Sequence, residues 1–172
     1  LEVTRDEDGA RKGRRSTRRY DAIKAALEKF KEESPTWFDQ DVFGEFRRSR
    51  AEDLDERLSL YFMQGGKSLY SATPLKLELL HTNQYQVDHI IPQSYIKDDS
   101  FENKALVLAG ENQRKSDALL IDSSIRTAMA PYWRALHQAG LMGDKKFNSL
   151  MCSSISDKRV RGFIARQLVE TS

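Results

Sequence analysis

Apolar residues fall into helical stripes along most of this chain and switch to strand-like alternation only once. Tyr20, Ile23, Leu27 and Phe30 repeat at the spacing of one helix face. Ser16 or Thr17 can cap that helix and Ser34-Pro35 stops it, so a helix is predicted from about residue 16 to Glu33. Residues 1–15 are polar, lack periodicity after Val3 and hold Gly9 and Gly13; they read as an extended entry linker. Trp37, Phe38, Val42, Phe43 and Phe46 predict a short helical piece within 36–50. Leu54, Leu58, Tyr61 and Phe62 predict a second helix from about Glu52 to Gln64, ended by Gly65-Gly66. Pro74 can start a short turn of helix carrying Leu75, Leu79 and Leu80. Downstream, Ile125, Met129, Trp133 and Leu136 lie at helix spacing up to Gly140, with Pro131 expected to kink or split the element. A short helix around Lys145–Met151 follows, then a last one carrying Val160, Phe163, Ile164 and Leu168.

The change of period comes at Tyr85, Val87 and His89, which alternate with Gln86, Asp88 and Ile90 until Pro92. Asp98-Asp99-Ser100 supplies turn chemistry, Ala105–Leu108 reads as a second strand, and 111–119 as a helix. The expectation is an α+β domain, mostly helical, around a two-stranded antiparallel hairpin, with a ββα unit at about 84–120.

Composition narrows this further. A chain of 172 residues with 39% apolar content can bury one core of its own. Cys152 is the single cysteine, so an internal disulfide and a cysteine-based zinc site are excluded, and a reducing, cytoplasmic compartment is expected. No apolar run reaches the roughly 18 residues of a membrane span, and no signal peptide is visible. Opening on Leu1, the chain reads as a segment of a longer protein, monomeric as a fragment. The net charge of +2 says little, but its distribution says more. Arg11, Lys12, Arg14, Arg15, Arg18 and Arg19 cluster near one end; Lys145, Lys146, Lys158, Arg159, Arg161 and Arg166 lie toward the other. Such ends suit contact with phosphate, or equally serve as solvated linkers.

The candidate chemistry sits where the period changes. Asp88 and His89 are neighbours, and Asn112 follows in the next predicted helix. A carboxylate and an amide carbonyl are hard oxygen ligands suited to Mg²⁺, with Mn²⁺ as a substitute, and a neutral imidazole can take a proton from water. Neighbours on a regular strand point to opposite faces, so Asp88 and His89 can share a site only at the strand end or where the strand is distorted. An Asp-His pair alone occurs by chance in many proteins. His81 and His137 lack a nearby acid of suitable type and read as surface residues; Asn103 reads as a loop residue bonding backbone and fixing the approach of the strands. Lys104, Arg114 and Lys115 could touch phosphate or be solvated.

The stretch Tyr85-Gln86-Val87-Asp88-His89-Ile90-Ile91-Pro92-Gln93-Ser94-Tyr95-Ile96-Lys97-Asp98-Asp99-Ser100 closely resembles the His-Asn-His (HNH) nuclease domain of type II CRISPR effector endonucleases. Asn103-Lys104-Ala105-Leu106, Glu111-Asn112-Gln113-Arg114-Lys115-Ser116-Asp117 and Tyr132-Trp133-Arg134 continue the likeness. Leu1–Arg5 and Gly162–Thr171 resemble the neighbouring segments of the effector's RuvC-like nuclease. The resemblance implies a ββα-metal (His-Me finger) core, an entry linker at 1–15, a nuclease domain at 16–152 and an exit linker helix at 153–172. It implies Asp88 and Asn112 as metal ligands, His89 as general base, and Glu2 as a RuvC-like ligand left idle here. It also implies Mg²⁺-dependent cleavage of the DNA strand paired to the guide RNA, in bacterial antiviral defence, with the RuvC-like domain as a partner. Gln86 departs from the pattern, standing where relatives often carry an acid. The rival readings are a stand-alone homing or restriction-type nuclease and a noncatalytic helical module that binds nucleic acid or protein.

Overall fold

The computed structural model describes residues 5–154. Its order is α1 (Arg5–Glu33), α2 (Gln40–Arg48), α3 (Glu56–Met63), β1 (Tyr85–His89), β2 (Lys104–Leu108), α4 (Ala109–Lys115), α5 (Ser123–Ala139) and α6 (Asp144–Met151), with 3-10 turns at Ala51–Asp53, Leu77–Leu79 and Phe101–Asn103. The two strands pair antiparallel, Val87 opposite Leu106 and His89 opposite Lys104, and α4 follows β2 directly. The architecture is therefore α+β, mostly helical, with a ββα unit where the period changed.

Helical stripes become the core. Phe30 of α1, Phe46 of α2, Phe62 of α3 and Tyr132, Trp133 and Leu136 of α5 are fully buried. Their rings meet edge-on, Phe46 against Phe62 at 5.1 Å and Phe30 against Tyr132 at 6.2 Å between centroids. Each such side chain contributes on the order of 1.5–3 kcal/mol of burial. Gly65 and Gly66 end α3 with φ of +65° and +78°, and a Cβ on Gly65 would collide with the Tyr132 hydroxyl, so the turn needs glycine twice over.

A buried amide ties the helical core to β2. Gln64 accepts from Leu106 N–H (2.8 Å) and donates to Leu106 C=O (2.8 Å) and to Lys67 C=O (2.9 Å). Behind it, Tyr132 Oη donates to the Gln64 carbonyl and Trp133 Nε1 to the Leu69 carbonyl. The polar tips of two core aromatics thus hold the segment that holds β2. As expected, Asn103 closes the other end of the hairpin: it donates to Ile91 C=O and Asp98 C=O and accepts from Ile91 N–H.

Four expectations need correction or fall outside. Helix α1 already runs from Arg5, not from residue 16, and Thr17 bonds back to Gly13 C=O within it instead of capping. Gly9 and Gly13 each cost a helix only about 1 kcal/mol, and the Arg and Lys residues between them favour it. The second helix begins at Glu56 because Asp55 accepts from Leu58 N–H as its cap, leaving 51–53 as a separate 3-10 turn. Pro131 lies inside one uninterrupted α5, where Met129, Ala130, Tyr132 and Trp133 are buried around it. The helix carrying Val160, Phe163, Ile164 and Leu168, like Glu2 and the exit linker from residue 155 on, lies outside the described residues.

Candidate active site

Strand β1 stops at His89, and there Asp88 and His89 border one cleft of about 410 Å³ together with Asn112 from α4. The alternation problem is resolved by position, since both residues stand at the strand's last turn of the pleat. Helix α4 lies against both strands and brings Asn112 over β1.

Asp88 is nearly buried and held from behind. Tyr70 Oη donates to its Oδ2 at 2.6 Å, and Lys115 Nζ lies 3.0 Å from the same oxygen while donating to His89 C=O. Oδ1 is thereby the oxygen left to face a ligand. Burial, with Asp88 and Glu111 nearby, pushes the Tyr70 phenol well above its ordinary range, so it remains a donor. Lys115 reaches Asp88 because it stands one turn beyond Asn112 on the same face of α4.

Asn112 is turned by Gln86. The Asn112 side-chain nitrogen donates to Gln86 Oε1 at 2.6 Å, which leaves the Asn112 carbonyl oxygen free. His89 is held by Asp99, whose carboxylate accepts from Nε2 at 2.8 Å. With the proton on Nε2, the neutral ring carries its lone pair on Nδ1. The His89 hydrogen bond, then Lys104, hold the Asp99 carboxyl below the usual carboxylate range. Lys104 in turn pairs with Glu56; burial opposes its charge, but the bonds it donates to Glu56 and Asp99 outweigh that and raise its pKa. A further buried link anchors α4: Ser68 donates to Glu111, which also accepts from Leu108 N–H.

The donor set fits a hard divalent cation. Asp88 and Asn112 border the same cleft and can offer a carboxylate oxygen and an amide oxygen, and Mg²⁺ commonly takes one or two protein oxygens, filling its other positions with water and phosphate. Among the described residues no group of three or more His, Cys, Asp or Glu side chains forms a cage of the kind a structural metal needs.

The family model described as HNH endonuclease matches residues 68–119, the span from Ser68 through the hairpin and α4. The chain is 33% identical to the CRISPR-associated endonuclease Cas9 of Streptococcus mutans and 30% identical to that of Listeria innocua, each over 99% of this chain. A shorter stretch, 36% of the chain, is 48% identical to the Staphylococcus aureus protein of the same name. The chain carries an HNH endonuclease domain of the Cas9 type. It spans about 12% of the length of the first two relatives, so this HNH domain corresponds to one segment of each of them.

Around this HNH domain's cleft, sequence reasoning left several partners unassigned. Asp99 read as turn chemistry, and Tyr70 drew no attention at all. Lys115 was open between phosphate contact and solvent; its side chain is 5% exposed and sits on Asp88. Only its place one turn after Asn112 could have pointed to it. The reading of His81 and His137 is half corrected. They lie at the surface, but each has an acid in space, both at 2.6 Å: Asp55 reaches His81 from the start of α3, and Asp144 reaches His137 across the short turn between α5 and α6. Among the described residues no helix is long and apolar enough to cross a membrane.

Proposed function

We propose that this HNH domain hydrolyses a phosphodiester of the DNA strand paired to a guide RNA, as part of a larger effector in CRISPR antiviral defence. The observation that carries this reading is the shared cleft of Asp88, His89 and Asn112 at the end of β1. In it His89 is the general base: with Nε2 on Asp99, its Nδ1 takes the proton from the attacking water. Asp88 and Asn112 would hold Mg²⁺, or Mn²⁺ in its place, by one oxygen each. When bound, the cation supplies charge stabilisation for the phosphate and the leaving 3′ oxygen. Lys115 and Tyr70 fix the direction of the Asp88 carboxylate.

The relatives' length supports a larger parent, in which residues 1–15 and 153–172 connect the nuclease domain at 16–152 to a RuvC-like domain. Exposed Arg11, Lys12, Arg14 and Arg15 on the free half of α1 suit phosphate contact in that setting. Alone, the chain should be a poor enzyme, because guide and parent supply most of the substrate positioning.

The test is nicking of DNA by the 172-residue chain, with and without Mg²⁺. Activity should vanish on chelation and fall by about 10²–10⁴-fold in His89→Ala. Asp88→Ala should abolish it as well. Cleavage that survives chelation, or that is equal in these variants, rejects the assignment.

A further inference from the structure

We propose that Gln86 is a positioning residue for the cation site: it captures the Asn112 amide so that the Asn112 carbonyl faces the cleft, and its lack of charge limits cation affinity. This rests on the reading of Asp88 and Asn112 as cation ligands. An asparagine presents either an oxygen or an NH₂ group in nearly the same shape, and only the oxygen can bind a cation. Something must therefore fix which way the amide is turned. Gln86 does this from the adjacent strand, its Oε1 2.6 Å from Asn112 Nδ2. Turning Asn112 over would set oxygen against oxygen.

Gln86 is well placed for the task. It is half-buried on β1, two residues before Asp88 and so on the same face of the strand, and it is opposite Val107 in the ladder. The hairpin register thus fixes it relative to α4. The two ligands are then treated alike. Tyr70 and Lys115 take one Asp88 oxygen and leave the other; Gln86 takes the Asn112 nitrogen and leaves the oxygen. Outer partners of this kind commonly set metal affinity by an order of magnitude or more.

Charge is the second half of the proposal. The Lys115 ammonium at 3.0 Å already balances the Asp88 carboxylate, and Asn112 and Gln86 are neutral. Asp117 is the other acid bordering the cleft. A glutamate at position 86 would keep an oxygen for the Asn112 NH₂ group and add a negative charge beside the cation. Glutamate also lacks any donor, so it allows only the orientation in which the Asn112 oxygen is free.

The experiment is a Mn²⁺ titration of the 172-residue chain, followed by the electron paramagnetic resonance of free Mn²⁺ and by broadening of the Asn112 side-chain NH₂ signals in ¹⁵N spectra. Gln86→Leu is expected to weaken Mn²⁺ binding by about tenfold or more. Gln86→Glu is expected to strengthen it severalfold and to keep the Asn112 NH₂ signals distinct. If Asp88→Asn and Asn112→Ala leave affinity unchanged, the ligand assignment fails and takes this proposal with it. If those two weaken binding and Gln86→Leu does not, the role of Gln86 alone is overturned. If Gln86→Glu weakens binding as Gln86→Leu does, the proposal is equally overturned. Gln86→Glu decides the matter by itself should the leucine variant fold poorly.

Discussion

The aromatic core and the cleft of this domain are built on opposite terms. In the core, Phe30, Phe46, Phe62 and Trp133 are excluded from water and held by area and shape. Around the cleft, named polar partners hold each residue: Tyr70 and Lys115 for Asp88, Asp99 and Gln93 for His89, and Gln86 for Asn112. Non-directional burial tolerates small shifts, whereas a hydrogen bond fixes which oxygen or nitrogen faces outward. A site that must aim single atoms is accordingly built from the second kind of contact, and the first kind supplies the platform.

The largest effect should come from breaking the platform. Trp133→Ala removes a fully buried ring and its bond to the Leu69 carbonyl, and is expected to cost about 3–5 kcal/mol in urea denaturation. Next comes a fault already inside the platform. Burial pushes the Lys146 ammonium down to about 8, well below the usual lysine range. The folded pKa lies below the unfolded one, so between those pH values the unfolded chain binds the proton that the folded chain releases. Stability should therefore rise as pH climbs from about 8 toward 10, and Lys146→Met should flatten that rise while stabilising the protein by about 3 kcal/mol at pH 7. Above about pH 10 the trend reverses, because burial pushes the Tyr61 phenol up to about 12 and unfolding then releases its proton. A flat profile between pH 8 and 10 in the native sequence would show that Lys146 reaches solvent.

The joint between the two regions comes third. Gln64→Met strips Leu106 of the side-chain partner for its N–H, and should cost about 2–3 kcal/mol with faster amide exchange at Leu106 than in the core helices. If exchange rises equally everywhere, the joint is not local. The smallest effect belongs to the cleft's outer rim. The Asp99 side chain is 72% exposed, and exposed ion pairs are weak, so Asp99→Asn should lower cleavage within about fivefold and leave thermal stability unchanged. A loss as large as that of His89→Ala would mean that Asp99 does more than hold the ring.

The same contrast explains what the sequence disclosed. Burial leaves a period behind it, so the stripe through Ile23, Leu27 and Phe30, the alternation at Tyr85–His89 and the glycine stop at Gly65-Gly66 were all legible. Asp88, His89 and Asn112 were legible as chemistry because of their types and the motif around them. Tyr70 and Asp99 were not, and Gln86 stood out only as a departure from the motif, since a hydrogen bond between a loop and a strand or between a strand and a helix carries no spacing rule. The early start of α1 was hidden for another reason. A solvated, arginine-rich helix has no apolar stripe, and its glycines looked like stops when they were only small penalties.

The bonds that Gln64 and Lys115 make have one more consequence. A two-strand sheet ordinarily leaves both rims open to any extended segment that drifts past, which invites fusion with a neighbour. Here the outer rim at Leu106 is stoppered by a glutamine, and the rim carbonyls of Tyr85 and His89 are taken by Arg57 and Lys115. The little sheet is finished off by side chains where larger folds would use another strand, and at those positions it offers no template for growth.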